Sequence, residues 1–196
     1  MKKHKIGVGA VKIDPQSKKY INRILATSRL SYGYYSRRFE EEFARIHNRS
    51  FAIFCNSGTS ALQVGFDALK KKNNWKDGSE VIVPALTFVA SINTVLQNNL
   101  KPVFVDIEED YFGIDPNKIE AAISPDTVCI EPVHLFGQPA DMDPIMKIAK
   151  QNKLAVLEDS CETMFAKYRG RVVGSFADLA CFSTYAAHLL TTGVGG

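Results

Sequence analysis

The stretch Leu154-Ala155-Val156-Leu157-Glu158-Asp159-Ser160-Cys161-Glu162 passes directly from apolar residues to carboxylates and a hydroxyl group. A short, uninterrupted apolar run is typical of a strand that is buried on both faces of a parallel sheet. In open sheets of this kind, ligands bind beyond the carboxyl ends of the strands. The stretch therefore predicts a buried strand over 154–157, followed by a polar segment placed where a ligand would bind.

Apolar strands alternate with helical patterns along the rest of the chain. The predicted helices cover residues 15–26, 37–46, 61–71, 91–97 and 144–151, and the other predicted strands cover 51–55, 80–84, 101–105, 127–133 and 178–185. This alternation predicts an α/β fold with a mostly parallel sheet flanked by helices on both faces. We expect an entry segment over 1–30 and a main domain over 31–196. Because no element follows the glycine-rich end Gly193-Val194-Gly195-Gly196, we expect that domain to be truncated at its C-terminus.

The composition argues against several classes of protein. The chain has 24 Lys and Arg against 21 Asp and Glu, and its net charge of +3 is far from that of a dedicated nucleic-acid-binding protein. No apolar stretch approaches the roughly 18 residues of a membrane span, and the N-terminus lacks the apolar region of a signal peptide. The four cysteines are widely spaced and form no CxxC pair, which favours buried free thiols. We therefore expect a cytoplasmic protein that binds neither nucleic acid nor a membrane, and no metal site.

Two polar segments have both a functional and a structural interpretation. Asn56-Ser57-Gly58-Thr59-Ser60 joins a predicted strand to a predicted helix, where free amides and the helix dipole favour a bound phosphate. The same residues suit an ordinary N-cap, and in isolation the cap is the better explanation. Asp159 either stabilises a protonated ring nitrogen or caps the next helix.

His188 lies three residues beyond Phe182-Ser183-Thr184-Tyr185, at the end of the last predicted strand. An imidazole exchanges protons in both directions near neutral pH, although most histidines are structural. His134 also follows a strand and is a second-rank candidate. A phosphate-binding turn, a carboxylate for a ring nitrogen, an aromatic residue (Phe88) and a proton-transfer residue are together what a pyridoxal cofactor requires.

With these residues in place, the sequence resembles the DegT/DnrJ/StrS family of sugar aminotransferases, which has the aspartate aminotransferase fold of pyridoxal enzymes. The resemblance runs from about Leu30 to Gly196 and rests on ordered segments. These are Phe39-Glu40-Glu41-Glu42-Phe43-Ala44, Cys55-Asn56-Ser57-Gly58-Thr59-Ser60-Ala61-Leu62, Val83-Pro84-Ala85-Leu86-Thr87-Phe88, Val133-His134-Leu135-Phe136-Gly137-Gln138-Pro139-Ala140-Asp141-Met142, Glu158-Asp159-Ser160, Gly174-Ser175-Phe176 and Thr191-Thr192-Gly193.

The resemblance implies a large domain that binds pyridoxal 5′-phosphate or pyridoxamine 5′-phosphate, and a homodimer whose C-terminal small domain is absent from this chain. The amides of Gly58 and Thr59 and the hydroxyl of Ser183 would bind the cofactor phosphate. Phe88 would stack on the pyridine ring, and Asp159 would contact its nitrogen. Glu162 departs from the glutamine that many of these aminotransferases have at this position. The implied cofactor-binding residues are Ser57, Gly58, Thr59, Phe88, Asp159, Glu162 and Ser183.

His188 is the largest departure from the family pattern, because it occupies the position of the lysine that binds the cofactor covalently. An imidazole cannot make that bond, so the cofactor would be held noncovalently. Lys167 is the nearest lysine before it but does not match the motif. A branch with this replacement resembles nucleotide-sugar 3-dehydratases, in which a histidine base takes a proton from pyridoxamine phosphate joined to the sugar and the C3 hydroxyl leaves. Val194 is a further departure, since the family motif commonly has an acidic or amide residue there.

The leading interpretation is therefore a dehydratase of nucleotide-linked 4-keto-6-deoxy sugars, with His188 as the catalytic base. One alternative is a sugar aminotransferase of polysaccharide or amino-sugar biosynthesis that uses an amino donor such as glutamate. A second alternative, from a different class, is a regulator that binds the cofactor without catalysis.

Overall fold

A computed structural model describes residues 13–196 of the chain. Six helices lie in this part of the chain: α1 (Pro15–Ala26), α2 (Tyr34–Ile46), α3 (Gly58–Asn73), α4 (Val89–Gln97), α5 (Pro116–Ala122) and α6 (Met142–Asn152). The strands are β1 (Glu80–Pro84), β2 (Lys101–Val105), β3 (Thr127–Ile130), β4 (Ala155–Ser160), β5 (Lys167–Tyr168), β6 (Arg171–Val172) and β7 (Leu179–Phe182).

The main sheet has five strands in the order β2-β1-β3-β4-β7. All of its strand pairs are parallel, whereas β5 and β6 form a separate antiparallel hairpin. Parallel neighbours require crossover connections, which the alternating helices supply. The predicted α/β fold with a mostly parallel sheet is thus confirmed. Within residues 13–196, no helix is long and apolar enough to cross a membrane.

Two apolar clusters, one on each face of the sheet, form the core. Ile82 and Val156 pack with Ile119 of α5 and Ile145 of α6. On the other face, alternate strand residues such as Leu157 pack with α3 and α4; this cluster comprises Leu62, Phe66, Leu69, Val81, Val83, Ala90, Val95, Leu100, Cys129, Leu157 and Cys181. The inner strands β1, β3 and β4 are therefore buried between two helical layers, as their uninterrupted apolar runs predict, whereas the edge strand β2 is only partly buried.

The predicted strand over 51–55 is wrong. This segment is extended, but within the described residues only Cys55 forms backbone hydrogen bonds across to another segment, and both are with Gly196. Phe51 is 87% exposed and Ile53 is 76% exposed. An apolar run becomes a strand only when another strand pairs with it, and no named strand of the described chain lies beside this one.

Smaller differences concern element ends and short elements. The strand predicted over 127–133 ends at Ile130, and the one predicted over 178–185 covers only Leu179–Phe182. Helix α5 was not predicted, although Asp115 caps it and Pro116 occupies its first turn. Helix α1 matches its predicted bounds but contains no buried residue. The division into an entry segment over 1–30 and a domain over 31–196 remains a prediction, and residues 1–12 lie outside the described part.

Candidate active site

A cavity of about 370 Å³ lies at the carboxyl end of the sheet, against the first turn of α3. All eight residues singled out in the sequence line it: Ser57, Gly58, Thr59, Phe88, Asp159, Glu162, Ser183 and His188. They come from four separate parts of the chain, and the parallel sheet brings them together because its strands all end at the same edge.

The first turn of α3 forms one wall of the cavity. Ser57 is the N-cap, since its Oγ accepts a hydrogen bond of 3.0 Å from the Ser60 amide. The cap interpretation of Ser57 is therefore correct. The amides of Gly58 and Thr59 come next in this turn, where amides have no carbonyl partner inside the helix. These amides and the positive end of a 16-residue helix are suited to an anion.

Gly58 is required by close packing. A Cβ atom at this position would lie 2.7 Å from Cβ of Ser183 and 2.8 Å from Sγ of Cys161. Both distances are shorter than carbon or sulfur contacts allow. Glycine therefore lets α3 approach the end of β7 and brings this turn beside the Ser183 hydroxyl.

Asp159 is a buried carboxylate in the wall of the cavity, with 4% of its surface exposed. Its Oδ2 accepts a hydrogen bond of 2.9 Å from the Ser91 hydroxyl, and its Oδ1 accepts one of 3.0 Å from the Cys161 amide. No helix follows it before β5, so the interpretation of Asp159 as a cap of the next helix is wrong. Ser91 also contacts the Thr87 hydroxyl at 2.8 Å, which fixes the orientation of the carboxylate.

Phe88, Glu162 and Ser183 complete the predicted cofactor-binding set. Phe88 precedes α4 and is 66% exposed, so its ring is available to a ligand. Glu162 is half-buried, and its Oε2 accepts a 3.4 Å hydrogen bond from the Phe136 amide. Ser183 is buried at the end of β7, with Oγ 3.3 Å from the Tyr185 amide.

His188 is half-buried beside the cavity and is held by its backbone. Its amide donates to the Tyr185 carbonyl at 3.0 Å, and the two rings meet edge to face at 6.1 Å. Neither imidazole nitrogen has a hydrogen-bond partner within residues 13–196, so both are free to contact a ligand in the cavity. No lysine of the described chain lines this cavity, and Lys167 is an exposed residue of β5.

Glu158 lies on the opposite face of β4 from Asp159 and is completely buried. It accepts hydrogen bonds from His134 Nε2 and from backbone amides, and Arg49 lies 3.6 Å away. We call this group the Glu158 cluster: Glu158, His134, Arg49, Gly174, Phe176 and Ala177. Burial raises the pKa of Glu158, but the bonds from His134 and the backbone outweigh it and the pKa is lowered.

His134 belongs to the Glu158 cluster and not to the cavity. Its Nδ1 accepts the Ala140 amide at 3.0 Å, so its Nε2 carries the proton donated to Glu158. Both ring nitrogens are thus occupied in holding the loop after β3 against β4. The structural interpretation of this histidine is the correct one.

Sequence reasoning missed several residues of the site. Thr87 and Tyr185 line the cavity and adjoin predicted site residues, so proximity in sequence was an available signal. Ser91 gave no signal, because its role depends on a contact with Asp159 across 68 residues. Glu131, which directly follows β3 and is buried outside the cavity lining, was also not singled out.

One known protein family matches this chain over most of its length. The model of the DegT/DnrJ/EryC1/StrS aminotransferase family matches residues 11–196. The chain belongs to this family. The resemblance seen in the motifs is therefore confirmed.

Two curated relatives of this DegT/DnrJ/EryC1/StrS family chain are each 40% identical to it. GDP-perosamine synthase of Caulobacter vibrioides aligns over 98% of the chain and 51% of the relative. The dTDP-4-dehydro-2,6-dideoxy-D-glucose 3-dehydratase of Saccharopolyspora spinosa aligns over 86% of the chain and 37% of the relative. The chain spans about half the length of the curated relatives it matches first.

A solved structure of GDP-4-keto-6-deoxymannose-3-dehydratase with a trapped PLP-glutamate geminal diamine has the same fold. It superimposes with a TM-score of 0.93 at 29% identity, covering 97% of this chain and 50% of that one. This chain therefore has the fold of about half of a solved enzyme structure that contains pyridoxal phosphate.

Proposed function

We propose that this chain is the cofactor-binding part of a pyridoxamine-phosphate-dependent enzyme that removes the C3 hydroxyl from a nucleotide-linked 4-keto-6-deoxy sugar. The observation that carries the proposal is His188, an imidazole with free ring nitrogens beside a cavity that no lysine of the described chain lines. A 40% identical relative named as a 3-dehydratase supports the same reaction class.

The residues of the cavity fit the cofactor. The amides of Gly58 and Thr59 and the hydroxyl of Ser183 would bind its phosphate, at a turn that a Cβ atom would obstruct. Phe88 would cover one face of the ring, and Asp159 would pair with the ring nitrogen and keep it protonated. Ser57 caps the phosphate-binding turn, and Glu162 would border the ring. When bound, the cofactor supplies an electron sink for the charge left by removal of a proton.

His188 would act as a general base. One of its ring nitrogens would take a carbon-bound proton, and the resulting imidazolium would protonate the departing hydroxyl. A positioned base contributes about 10²–10⁴-fold to rate. Because an imidazole does not bind the cofactor covalently, affinity would depend on the phosphate-binding turn and on Asp159.

The aminotransferase alternative is favoured by the family description itself. In that reaction the same cavity would hold the cofactor, but the sugar would gain an amino group instead of losing a hydroxyl group. Glutamate as amino donor, assembly as a homodimer and a cytoplasmic location are further expectations for the whole protein in both cases. A regulator that only binds the cofactor is the third outcome.

The test compares the whole protein with His188→Asn and His188→Lys variants, supplied with pyridoxamine phosphate, glutamate and a nucleotide-linked 4-keto-6-deoxy sugar. We expect the parent to yield a product lacking the C3 oxygen, seen by mass spectrometry. We expect His188→Asn to lower kcat about 10²–10⁴-fold while the cofactor Kd changes little. His188→Lys, supplied with pyridoxal 5′-phosphate in place of the amine form, should bind the cofactor covalently through its aldehyde with loss of water, which changes its absorbance.

Two outcomes would contradict the proposal. An amino sugar from the parent protein would establish the aminotransferase, and cofactor binding without any product would favour the regulator. His47→Asn is a matched control, because His47 is buried against Phe165 and Phe182 outside the cavity. It should alter stability but not the product.

A further inference from the structure

Glu131 follows β3 directly and is completely buried. Its amide donates to the Ile82 carbonyl at 2.8 Å, so its backbone is fixed against β1. Neither oxygen of its side chain has a hydrogen-bond partner within residues 13–196. Buried carboxyl oxygens without partners are rare, because they lose their hydrogen bonds to water and gain none in the protein. Each one therefore requires an explanation.

The position of Glu131 along the chain places it on the cofactor side of the sheet. Cys129 packs in the cluster under α3 and α4, and Ile130 packs on the opposite face. Since side chains alternate along a strand, Glu131 lies on the same side as Cys129. On β4, Asp159 lies on that side as well, because it alternates with Leu157. The Asp159 amide donates to the carbonyl of Pro132 at 2.9 Å, so the two carboxyl groups belong to adjacent, directly bonded segments.

Asp159 is the charged group that acts electrostatically on Glu131. The other titratable groups around it are the thiols of Cys129, Cys161 and Cys181, whose pKa values burial raises well above normal, so that they stay neutral. The buried residues that α3 and α4 place on this side carry no charge: Gly58, Leu62, Gly65, Phe66, Leu69, Ala90, Ser91, Thr94 and Val95. Those of β1 on this side, Val81 and Val83, are apolar.

Glu131 is absent from the residues that line the cavity, whereas Asp159 lines it. Burial, and then the charge of Asp159, raise the pKa of Glu131 well above its ordinary range. Burial without a hydrogen-bond donor therefore favours the protonated form of Glu131, which lies behind the carboxylate that faces the cavity. Neutralising Asp159 with a cationic ring would remove the repulsion that opposes ionisation of Glu131.

We propose that Glu131 is a positioning residue that forms a coupled carboxyl pair with Asp159 and links binding of the cofactor ring to release of a proton. The inference rests on the proposed function, since it requires a protonated ring nitrogen at Asp159. By linkage the coupling is reciprocal: ionised Glu131 favours the protonated ring, and the protonated ring favours ionised Glu131.

The experiment uses the whole protein and two variants, Glu131→Gln and Glu131→Leu, loaded with pyridoxamine 5′-phosphate. The pH at which the bound ring loses its nitrogen proton is followed by absorbance. Without the second negative charge, we expect this midpoint to fall by about one pH unit in both variants, the lower end of the range for a nearby charge. Proton uptake or release on binding, measured by calorimetry in buffers of different ionisation enthalpy, should show release in the parent that is lost in the variants.

Glu80→Gln is the matched control, because Glu80 is a nearly buried carboxyl at the opposite, amino end of β1. It should change stability without moving the midpoint. An unchanged midpoint and unchanged proton release in both Glu131 variants would overturn the pairing, whatever happens to their stability. Failure of the parent protein to bind the cofactor would instead overturn the proposed function, so the two failures are distinguishable.

Discussion

The Glu158 cluster and the Glu131–Asp159 pair lie close together, at the carboxyl ends of adjacent strands. Their buried glutamates differ in hydrogen bonding and in the direction of the pKa shift. Glu158 accepts hydrogen bonds from His134, Gly174, Phe176 and Ala177, and its pKa is lowered. Glu131 has no hydrogen-bond partner within residues 13–196, and its pKa is raised. A carboxylate that accepts several hydrogen bonds stabilises the fold. The ionisation of a buried carboxyl group without donors depends instead on the charge of a ligand bound nearby.

The largest effect is expected from removing the charge of Glu158. Glu158→Gln should lower the free energy of unfolding by about 3–5 kcal/mol, because it leaves donors of the Glu158 cluster without a charged acceptor. Urea denaturation measures the change. Glu120→Gln, on the exposed surface of α5, is the control and should stay within about 0.5 kcal/mol of the parent. A loss as small as that of the control would mean that the Glu158 cluster is not structural.

The pH dependence of stability should separate the two carboxyl groups. Because the folded pKa of Glu158 is lowered, its contribution is present above its unfolded pKa and is lost as pH falls through the folded value. For Glu131 the folded pKa is raised, so stability falls as pH rises from the unfolded value towards the folded one. Glu158→Gln should therefore lose most at neutral pH, while Glu131→Leu should gain most there. Parallel pH profiles for the two variants would contradict the comparison.

Gly58→Ala tests the turn of α3 that lines the cavity, and we expect an intermediate loss of stability. Its Cβ would force Ser183 or Cys161 to move, which should cost about 1–3 kcal/mol of stability. We also expect at least about tenfold weaker binding of pyridoxamine phosphate, since the phosphate donors are displaced. Gly65→Ala is matched to it, on the same helix, with its Cβ 3.1 Å from Leu157 but away from the cavity. Equal loss of cofactor affinity in both variants would mean that the turn of α3 does not hold the phosphate.

Ser57→Ala gives the smallest effect. Loss of the cap bond to the Ser60 amide should cost about 1 kcal/mol. Ser57→Asp keeps a capping oxygen, so it should retain stability while its negative charge weakens phosphate binding. Thermal unfolding and cofactor titration of the pair separate capping from anion binding. If both variants bind the cofactor as the parent does, Ser57 acts only as a cap.

The agreement between sequence and structure depends on whether a pattern is local. Residues 80–84 and 101–105 form strands with the predicted bounds, and α1 begins at Pro15 after its Asp14 cap. The run 51–55 is as apolar as a true strand, yet it forms none, because a strand needs a second segment to pair with. Helix α5 is short and buries only Ile119, so its periodicity is weak even though Asp115-Pro116 marks its start.

The candidate site divides in the same way. The family motifs predicted roles in cofactor binding or catalysis for the turn at Gly58 and Thr59, for Asp159 and for His188, and these residues all line one cavity. Ser91 and Glu131 could not be predicted, because an ordinary serine on a helix and a glutamate after a strand carry no sign of their neighbours. Their relation to Asp159 arises from packing across three elements.

By itself, the sequence determined the alternation of strands and helices and the family, and it places His188 where the resemblance implies a lysine, since each of these depends on residue type and order. Only the tertiary structure decided which carboxyl groups are saturated and which are left without donors. The reason is physical: hydrogen bonding and burial depend on atoms brought together from distant parts of the chain, and it is this surrounding, not the glutamate itself, that sets Glu158 and Glu131 apart.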